Sequence, residues 1–128
     1  MRIGIDARLY GLQHAGIGRY VMNLVSQLQQ LDTTNHYVLF LRQNDYGTLN
    51  LPPNWTEVLA DVPHYTLKEQ FVFPHLIAAA QVDLMHFTHF NVPLFYNRPF
   101  VVTIHDLLWH DIKGLSVTTL NPLVYLNK

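Results

Sequence analysis

The chain has 128 residues with a net charge of −1 and no cysteine, and 49% of its residues are hydrophobic. This length and apolar content fit one domain with one core, and the near-neutral charge argues against nucleic acid as a partner. The lack of cysteine excludes a disulfide framework and favours a cytoplasmic location. The longest apolar stretch, residues 71–82, is too short and too interrupted to span a bilayer, but it is compatible with peripheral contact with a membrane.

The first half of the chain alternates apolar runs with one amphipathic segment. Residues 2–6 are predicted to form a buried strand. Residues 32–35 end the helix that follows, and residues 37–41 are apolar throughout, which is typical of a strand covered on both faces. A polar loop, residues 43–54, then leads to a third strand over residues 55–59. The helix is predicted from apolar side chains at spacings of three and four, namely Ile17, Tyr20, Val21, Leu24, Val25, Leu28 and Leu31.

The second half continues the alternation. Residues 66–80 are predicted to form a helix with a break or kink at Pro74, because proline removes an internal hydrogen bond. A full break would divide this segment into two short helices. A last helix is predicted to open with Asn121 as cap and Pro122 at its first position. Two further strands are predicted over 84–87 and 100–104, separated by an aromatic loop over 88–99.

Apolar strands that alternate with helices predict an α/β fold with a parallel sheet, right-handed crossovers and helices on both faces. The apolar helix face that begins at residues 123–126 stops within two turns at Lys128. We therefore expect the chain to be a fragment that is cut inside an element.

Polar residues gather where three of the predicted strands end. Parallel sheets bind ligands at the carboxyl ends of their strands, so we expect these three clusters to share one edge. The first strand leads to Gly16, Gly18 and Arg19 at a helix start, where glycine lets backbone amides approach an anion such as a diphosphate. The loop matches neither the dinucleotide fingerprint nor a P-loop, and small residues needed only for packing are the alternative.

The other two clusters contain histidines. His105 and Asp106 follow an apolar strand directly, where an imidazole can donate to a hydroxyl or carry a proton; a histidine satisfied by backbone is the alternative. His86, His89 and Asn91 lie at the end of the fourth strand and are candidates for binding an acceptor. The His-x-x-His spacing of His86 and His89 suggests a zinc site, but no cysteine and no His-Glu-x-x-His motif support it.

Taken together, these segments resemble the N-terminal part of glycosyltransferase family 4, and most closely its bacterial mannosyltransferase-type members. The resemblance covers nearly the whole chain, and the motifs occur in the family's order. They are Arg2-Ile3-Gly4-Ile5-Asp6-Ala7-Arg8, Gly16-Ile17-Gly18-Arg19-Tyr20, Asn23-Leu24, Asp83-Leu84-Met85-His86 and Val101-Val102-Thr103-Ile104-His105-Asp106-Leu107.

The resemblance implies the GT-B architecture, in which two Rossmann-like domains face each other across a cleft. Residues 1–128 would be the acceptor-side domain of an enzyme that transfers a sugar, such as mannose, from a nucleotide-sugar to a saccharide or lipid-linked acceptor with retention. It places Gly16, Gly18 and Arg19 near the donor diphosphate and His105 with Asp106 near the transferred sugar, and it implies no cofactor and no metal. The C-terminal donor-binding domain is absent from this sequence, so we expect residues 1–128 alone to be inactive.

A second hypothesis is a non-catalytic binding or assembly module that needs a partner, or a second copy of itself, to complete its sheet. It rests on the charged content of 13%, which is low enough to suggest that part of the surface is covered. A third, a metal-dependent hydrolase, rests on the histidines alone.

Overall fold

A computed structural model describes residues 1–106, in which five strands form one all-parallel sheet. The sheet order is β3-β2-β1-β4-β5. Neither helix in this part of the chain is long and apolar enough to cross a membrane. The helix predicted at Asn121 and the apolar residues 123–126 lie outside the described residues. The elements are β1 (Arg2–Asp6), α1 (Ala15–Leu31), β2 (His36–Leu41), β3 (Trp55–Leu59), α2 (Leu67–Ala79), β4 (Leu84–Phe87) and β5 (Phe100–Val102), with a short 3₁₀ turn at Leu12–His14 before α1.

The sheet is covered by one helix on each face, which confirms the predicted α/β, Rossmann-like architecture. Alternate residues of β2 point to opposite faces, because side chains alternate along a strand. Leu39 joins the cluster that contains Val21 and Val25 of α1, and Phe40 joins the cluster that contains Phe73 of α2. All five side chains are buried, and each large one contributes roughly 1.5–3 kcal/mol to folding.

Helix α2 passes through Pro74 without interruption, so the predicted division into two short helices is wrong. A proline inside a helix costs about 3 kcal/mol. Phe73 and Ile77 flank it and are both fully buried, and their burial offsets a loss of that size. His75 Nδ1 lies 2.6 Å from the carbonyl oxygen of Phe71, so this backbone acceptor near the proline has a hydrogen-bond partner.

Strand β5 is two residues shorter than predicted, ending at Val102 instead of residue 104. Its neighbour β4 ends at Phe87, which pairs with Val102, so the pairing of these two strands stops at that point. The Thr103 N–H still donates to the Phe87 carbonyl oxygen at 2.9 Å and fixes the direction in which the chain leaves the sheet.

Candidate functional site

Two adjoining clefts lie at the carboxyl edge of the sheet and share Ile17 and His89 in their walls. The larger one, called here the histidine cleft, has a volume of about 250 Å³ and is lined by Leu9, His14, Ile17, His64, Tyr65 and His89. The smaller one, called the His105 cleft, has a volume of about 120 Å³ and is lined by Ile17, His89, Phe90, His105 and Asp106. The start of α1 and the loops after β1, β3, β4 and β5 therefore meet at one place.

His105 is held at the rim by a backbone contact from the neighbouring strand's loop. Its Nε2 lies 2.8 Å from the Thr88 carbonyl oxygen, and the Thr88 hydroxyl donates to the Asp6 carbonyl oxygen at 2.6 Å. Because a carbonyl only accepts, the Nε2 atom carries a proton in this arrangement. The ring also meets Tyr20 edge-on, with the centroids 5.0 Å apart. Asp106 is exposed beside it and lines the same cleft.

The two glycines at the start of α1 have different surroundings. A side chain on Gly18 would collide with the backbone carbonyl of Gly11, which itself has a φ of +101°. Gly16 is exposed, and an added Cβ there would have no neighbour within 4 Å. Close packing therefore explains Gly18 and does not explain Gly16.

Of the groups predicted to surround the phosphate, the start of α1 lies at the clefts and Arg19 lies outside them. Ile17, between the glycines, lines both clefts. Helix α1 has no side-chain cap at His14 and no acidic residue in its first turn, and Asp106 lines the smaller cleft together with Ile17. Arg19 is exposed and lines neither cleft.

His86 lines neither cleft and is connected to the site through neighbouring side chains. Its Nε2 lies 2.8 Å from the Thr103 hydroxyl, which lies 3.0 Å from the hydroxyl of Tyr20. Burial lowers the pKa of His86 against the opposing effect of Asp6. The chain of contacts ends at Tyr20, whose ring packs on His105, so His86 reaches the rim only through other residues.

A buried charge network lies directly beneath the histidine cleft. The Arg8 guanidinium donates to both carboxylate oxygens of Asp6, at 2.8 and 2.7 Å, and to Glu69 Oε1 at 2.8 Å. It also donates to the Val62 carbonyl at 3.1 Å and lies 3.7 Å from the centroid of the Phe73 ring. Burial opposes the ionisation of Asp6 and Arg8, but their attraction lowers the pKa of Asp6 and raises that of Arg8.

Glu69 ties this network to two of the loops at the edge. Its Oε2 accepts from the Tyr65 backbone N–H at 2.7 Å and from the Asn91 side-chain amide at 2.8 Å. The Asn91 backbone N–H in turn approaches His89 Nδ1 at 3.3 Å. Asn91 is thus committed to the network beneath the clefts and lines neither of them.

His64 lies between the network and the cleft. Its Nε2 is 4.0 Å from Asp6 Oδ2, and its ring centroid is 6.3 Å from that of His89. Burial and the nearby Arg8 charge lower the pKa of His64 to about 4, against the opposing effects of Asp6 and Glu69. The imidazole is therefore neutral at physiological pH.

Sequence reasoning missed Arg8, Glu69, His64 and Tyr65. One signal was present for Glu69, because Thr66-x-x-Glu69 is a capping-box pattern, and the Thr66 side chain does accept from the Glu69 N–H at 3.2 Å. Arg8 stood in the Asp6-x-Arg8 spacing after a buried strand, but spacing alone does not reveal a partner 61 residues away. Nothing local marked His64 or Tyr65.

Comparison of the chain with protein-family models, with curated proteins and with solved structures finds no match. Within residues 1–106, no group of three or more histidine, cysteine, aspartate or glutamate side chains is arranged to hold a metal ion. The functional argument therefore depends on the geometry of the two clefts and on the motifs in the sequence.

Proposed function

We propose that residues 1–128 are the acceptor-side domain of a retaining, metal-independent glycosyltransferase of the GT-B type, acting in the cytoplasm. The enzyme would transfer a sugar from a nucleotide-sugar to a saccharide or lipid-linked acceptor. The observation that carries the proposal is the meeting of Ile17, His89 and His105 in adjoining clefts at the carboxyl edge of a parallel sheet. Ligands of open α/β sheets bind at this edge.

The proposed roles follow from position. The start of α1, at Gly16 and Ile17, offers backbone N–H groups and a positive dipole end to the donor diphosphate. His105 and Asp106 face the transferred sugar from the smaller cleft, and the Thr88 carbonyl and Tyr20 fix the His105 ring. Stabilising the charge on the departing diphosphate dominates this kind of chemistry, and the resemblance assigns most of that task to a second domain.

The test uses the protein translated from the complete reading frame that contains these residues. It is assayed for transfer and hydrolysis across a panel of nucleotide-sugars, beginning with a mannose donor. His105→Ala is expected to lower kcat by about tenfold or more while changing the free energy of unfolding by less than about 1 kcal/mol.

The matched control is His36→Ala, because His36 is an exposed histidine on the first residue of β2, at the opposite edge of the sheet. It should leave kcat unchanged. A complete protein that binds no nucleotide-sugar would refute the proposal. An equal loss of activity and stability in His105→Ala would assign that histidine a structural role only.

A further inference from the structure

The segment that carries His105 is supported only weakly by burial. It follows β5, which has three residues and is the last strand of the sheet within residues 1–106. All three side chains of this strand are exposed, and so are those of Ile104 and His105. A segment with few buried apolar contacts opens locally at a low free-energy cost. The position of His105 therefore depends on the polar contacts of its neighbours.

Thr103 ties this segment to two other elements of the fold. Its backbone N–H donates to the Phe87 carbonyl oxygen at 2.9 Å. Its hydroxyl lies 2.8 Å from His86 Nε2 and 3.0 Å from the Tyr20 hydroxyl. A hydroxyl donates one hydrogen bond and accepts others, so this side chain can be the partner of both groups at once. Within residues 100–106 it is also the one side chain that is not exposed.

The two partners of the Thr103 hydroxyl come from different elements. His86 lies on β4, and burial lowers its pKa, so its imidazole is neutral at physiological pH and brings no charge to the contact. Tyr20 lies on α1, and its ring meets the His105 ring edge-on with the centroids 5.0 Å apart. A single hydroxyl therefore joins β4 and α1 to the segment that carries His105.

His105 lies two residues beyond Thr103, where the strand pairing has already ended. The contact of its Nε2 with the Thr88 carbonyl oxygen, at 2.8 Å, exists only while the segment holds the ring at that distance. A shift of Thr103 would move the His105 ring away from both Thr88 and Tyr20.

We propose that the Thr103 hydroxyl, held between His86 and Tyr20, positions His105 in the wall of the His105 cleft. Thr103 lines neither cleft, so it acts on the site through His105 and not by contact with a ligand. The same holds for His86, whose connection to the rim runs through this hydroxyl. The proposal rests on the proposed function in one respect, since it takes His105 as the group that faces the transferred sugar.

The test uses the complete protein and two substitutions of Thr103. Thr103→Val keeps the shape of the side chain and removes the hydroxyl, whereas Thr103→Ser keeps the hydroxyl. Thr103→Val is expected to lower kcat for sugar transfer about tenfold and to change KM for the nucleotide-sugar less than about twofold, because a displaced group beside the reacting atoms slows the reaction without removing a binding contact. Thr103→Ser is expected to keep kcat within about threefold of the native value.

The control is Thr56→Val. Thr56 lies on β3, at the other end of the strand order, and its hydroxyl donates to the Tyr37 carbonyl oxygen at 3.3 Å. This variant also loses one hydrogen-bonded threonine hydroxyl and should leave kcat unchanged.

A second readout, the imidazole signals in NMR spectra of the complete protein, needs no activity. In the native protein, the Thr88 carbonyl should protect the His105 Nε2–H from exchange, and the Tyr20 ring should displace the His105 C–H signals. Thr103→Val is expected to abolish the Nε2–H signal and to move the C–H signals toward their unfolded positions, with the signals of His36 on β2 in place. Thr103→Ser should keep the native pattern.

Tyr20→Phe tests the same contact from α1, because it removes the phenol hydroxyl and keeps the ring against His105. It is expected to move the His105 signals in the same direction as Thr103→Val but less far, since His86 still holds Thr103.

Native His105 signals in Thr103→Val, or in Tyr20→Phe where the valine variant does not fold, would overturn the proposal. Equal losses of kcat in Thr103→Val and Thr103→Ser would overturn it too. Failure of the proposed function is distinguishable from these results. Altered His105 signals in Thr103→Val, in a complete protein without sugar transfer, would support the positioning of His105 and remove the enzyme. Sugar transfer at the native rate in Thr103→Val would leave the enzyme and remove the role of Thr103.

Discussion

The two ends of the sheet are stabilised in opposite ways. At the amino end, Asp32 accepts hydrogen bonds from the Thr34 and Asn35 N–H groups, from the Asn35 side chain and from the Tyr37 hydroxyl. All of these partners lie within five residues along the chain. At the carboxyl end, the network of Asp6, Arg8 and Glu69 joins segments up to 61 residues apart and is buried.

The difference indicates that the carboxyl end of the sheet is not arranged for maximal stability. The amino end closes itself with local turns that water also solvates. The carboxyl end buries three charges, and a buried ion network is often no more stabilising than apolar residues of the same volume. Such violations of the simplest packing solution concentrate at functional sites, and here the histidine cleft, lined by His64 and Tyr65, opens next to the network.

The largest effect is expected from removing the central cation. Arg8→Met leaves Asp6 and Glu69 buried without their partner and should lower the free energy of unfolding by about 3–5 kcal/mol. Arg42→Met removes an exposed pair with Asp61, at 3.3 Å, and should cost less than about 1 kcal/mol. Urea denaturation of both variants measures the difference in free energy of unfolding. Similar losses would show that the buried network contributes no more to stability than the exposed pair.

A pH effect of intermediate size is expected from His64. Its pKa is about 4 in the folded chain and about 6.5 when unfolded, so between these values the unfolded state binds more protons. Stability from this group is therefore complete above about pH 6.5 and falls by about 2–3 kcal/mol as the pH drops to about 4. Urea midpoints measured across this range should show the loss in the native chain, and His64→Gln should lack it.

The groups that face His64 are Asp6, Arg8, Glu69 and His89. A His64→Gln variant with the same pH profile as the native chain would mean that other groups produce the slope.

A matched pair of substitutions at the start of α1 should give effects of opposite sign. Gly18→Ala forces a methyl group against the Gly11 carbonyl and should destabilise the fold by about 1–3 kcal/mol. Gly16→Ala meets no neighbour and should stabilise it by about 0.5–1 kcal/mol, because alanine restricts the unfolded chain and favours helix. Thermal unfolding distinguishes them, and two changes of the same sign would contradict the packing difference.

The smallest effect belongs to the amino end. Hydrogen bonds from Asn35 and Tyr37 hold the pKa of Asp32 well below its usual value, so its stabilisation is present above about pH 4 and is lost as the pH falls further. Stability curves of Asp32→Ala and the native chain should therefore converge below about pH 4, outside the window of His64. Curves that stay parallel down to acid pH would show that Asp32 acts without its charge.

How far the sequence predicts each end follows from the range of its contacts. The strands, α1 and the turn at Asp32 follow from apolar spacing and from side chains that bond their near neighbours, and all were predicted within two residues. Pro74 misled the prediction of α2, because the burial of Phe73 and Ile77 is a tertiary effect.

The carboxyl edge was predicted only in part. The rule for parallel sheets brought the loops at Ile17, His89 and His105 together, since it depends on strand direction alone. It gave no information on Arg8 and Glu69, whose pairing depends on how α2 packs against the sheet. A sequence pattern also could not show that Gly18 is required by the carbonyl of Gly11 while Gly16 is open.

The most direct test of the account is to map backbone amide shifts in the complete protein when a nucleotide-sugar is added. The account predicts that the largest shifts fall at the carboxyl edge, at residues 16–18, 88–91 and 103–106, and that residues 32–36 at the amino edge stay unchanged. Shifts centred on residues 32–36, with residues 16–18 and 103–106 unmoved, would contradict it.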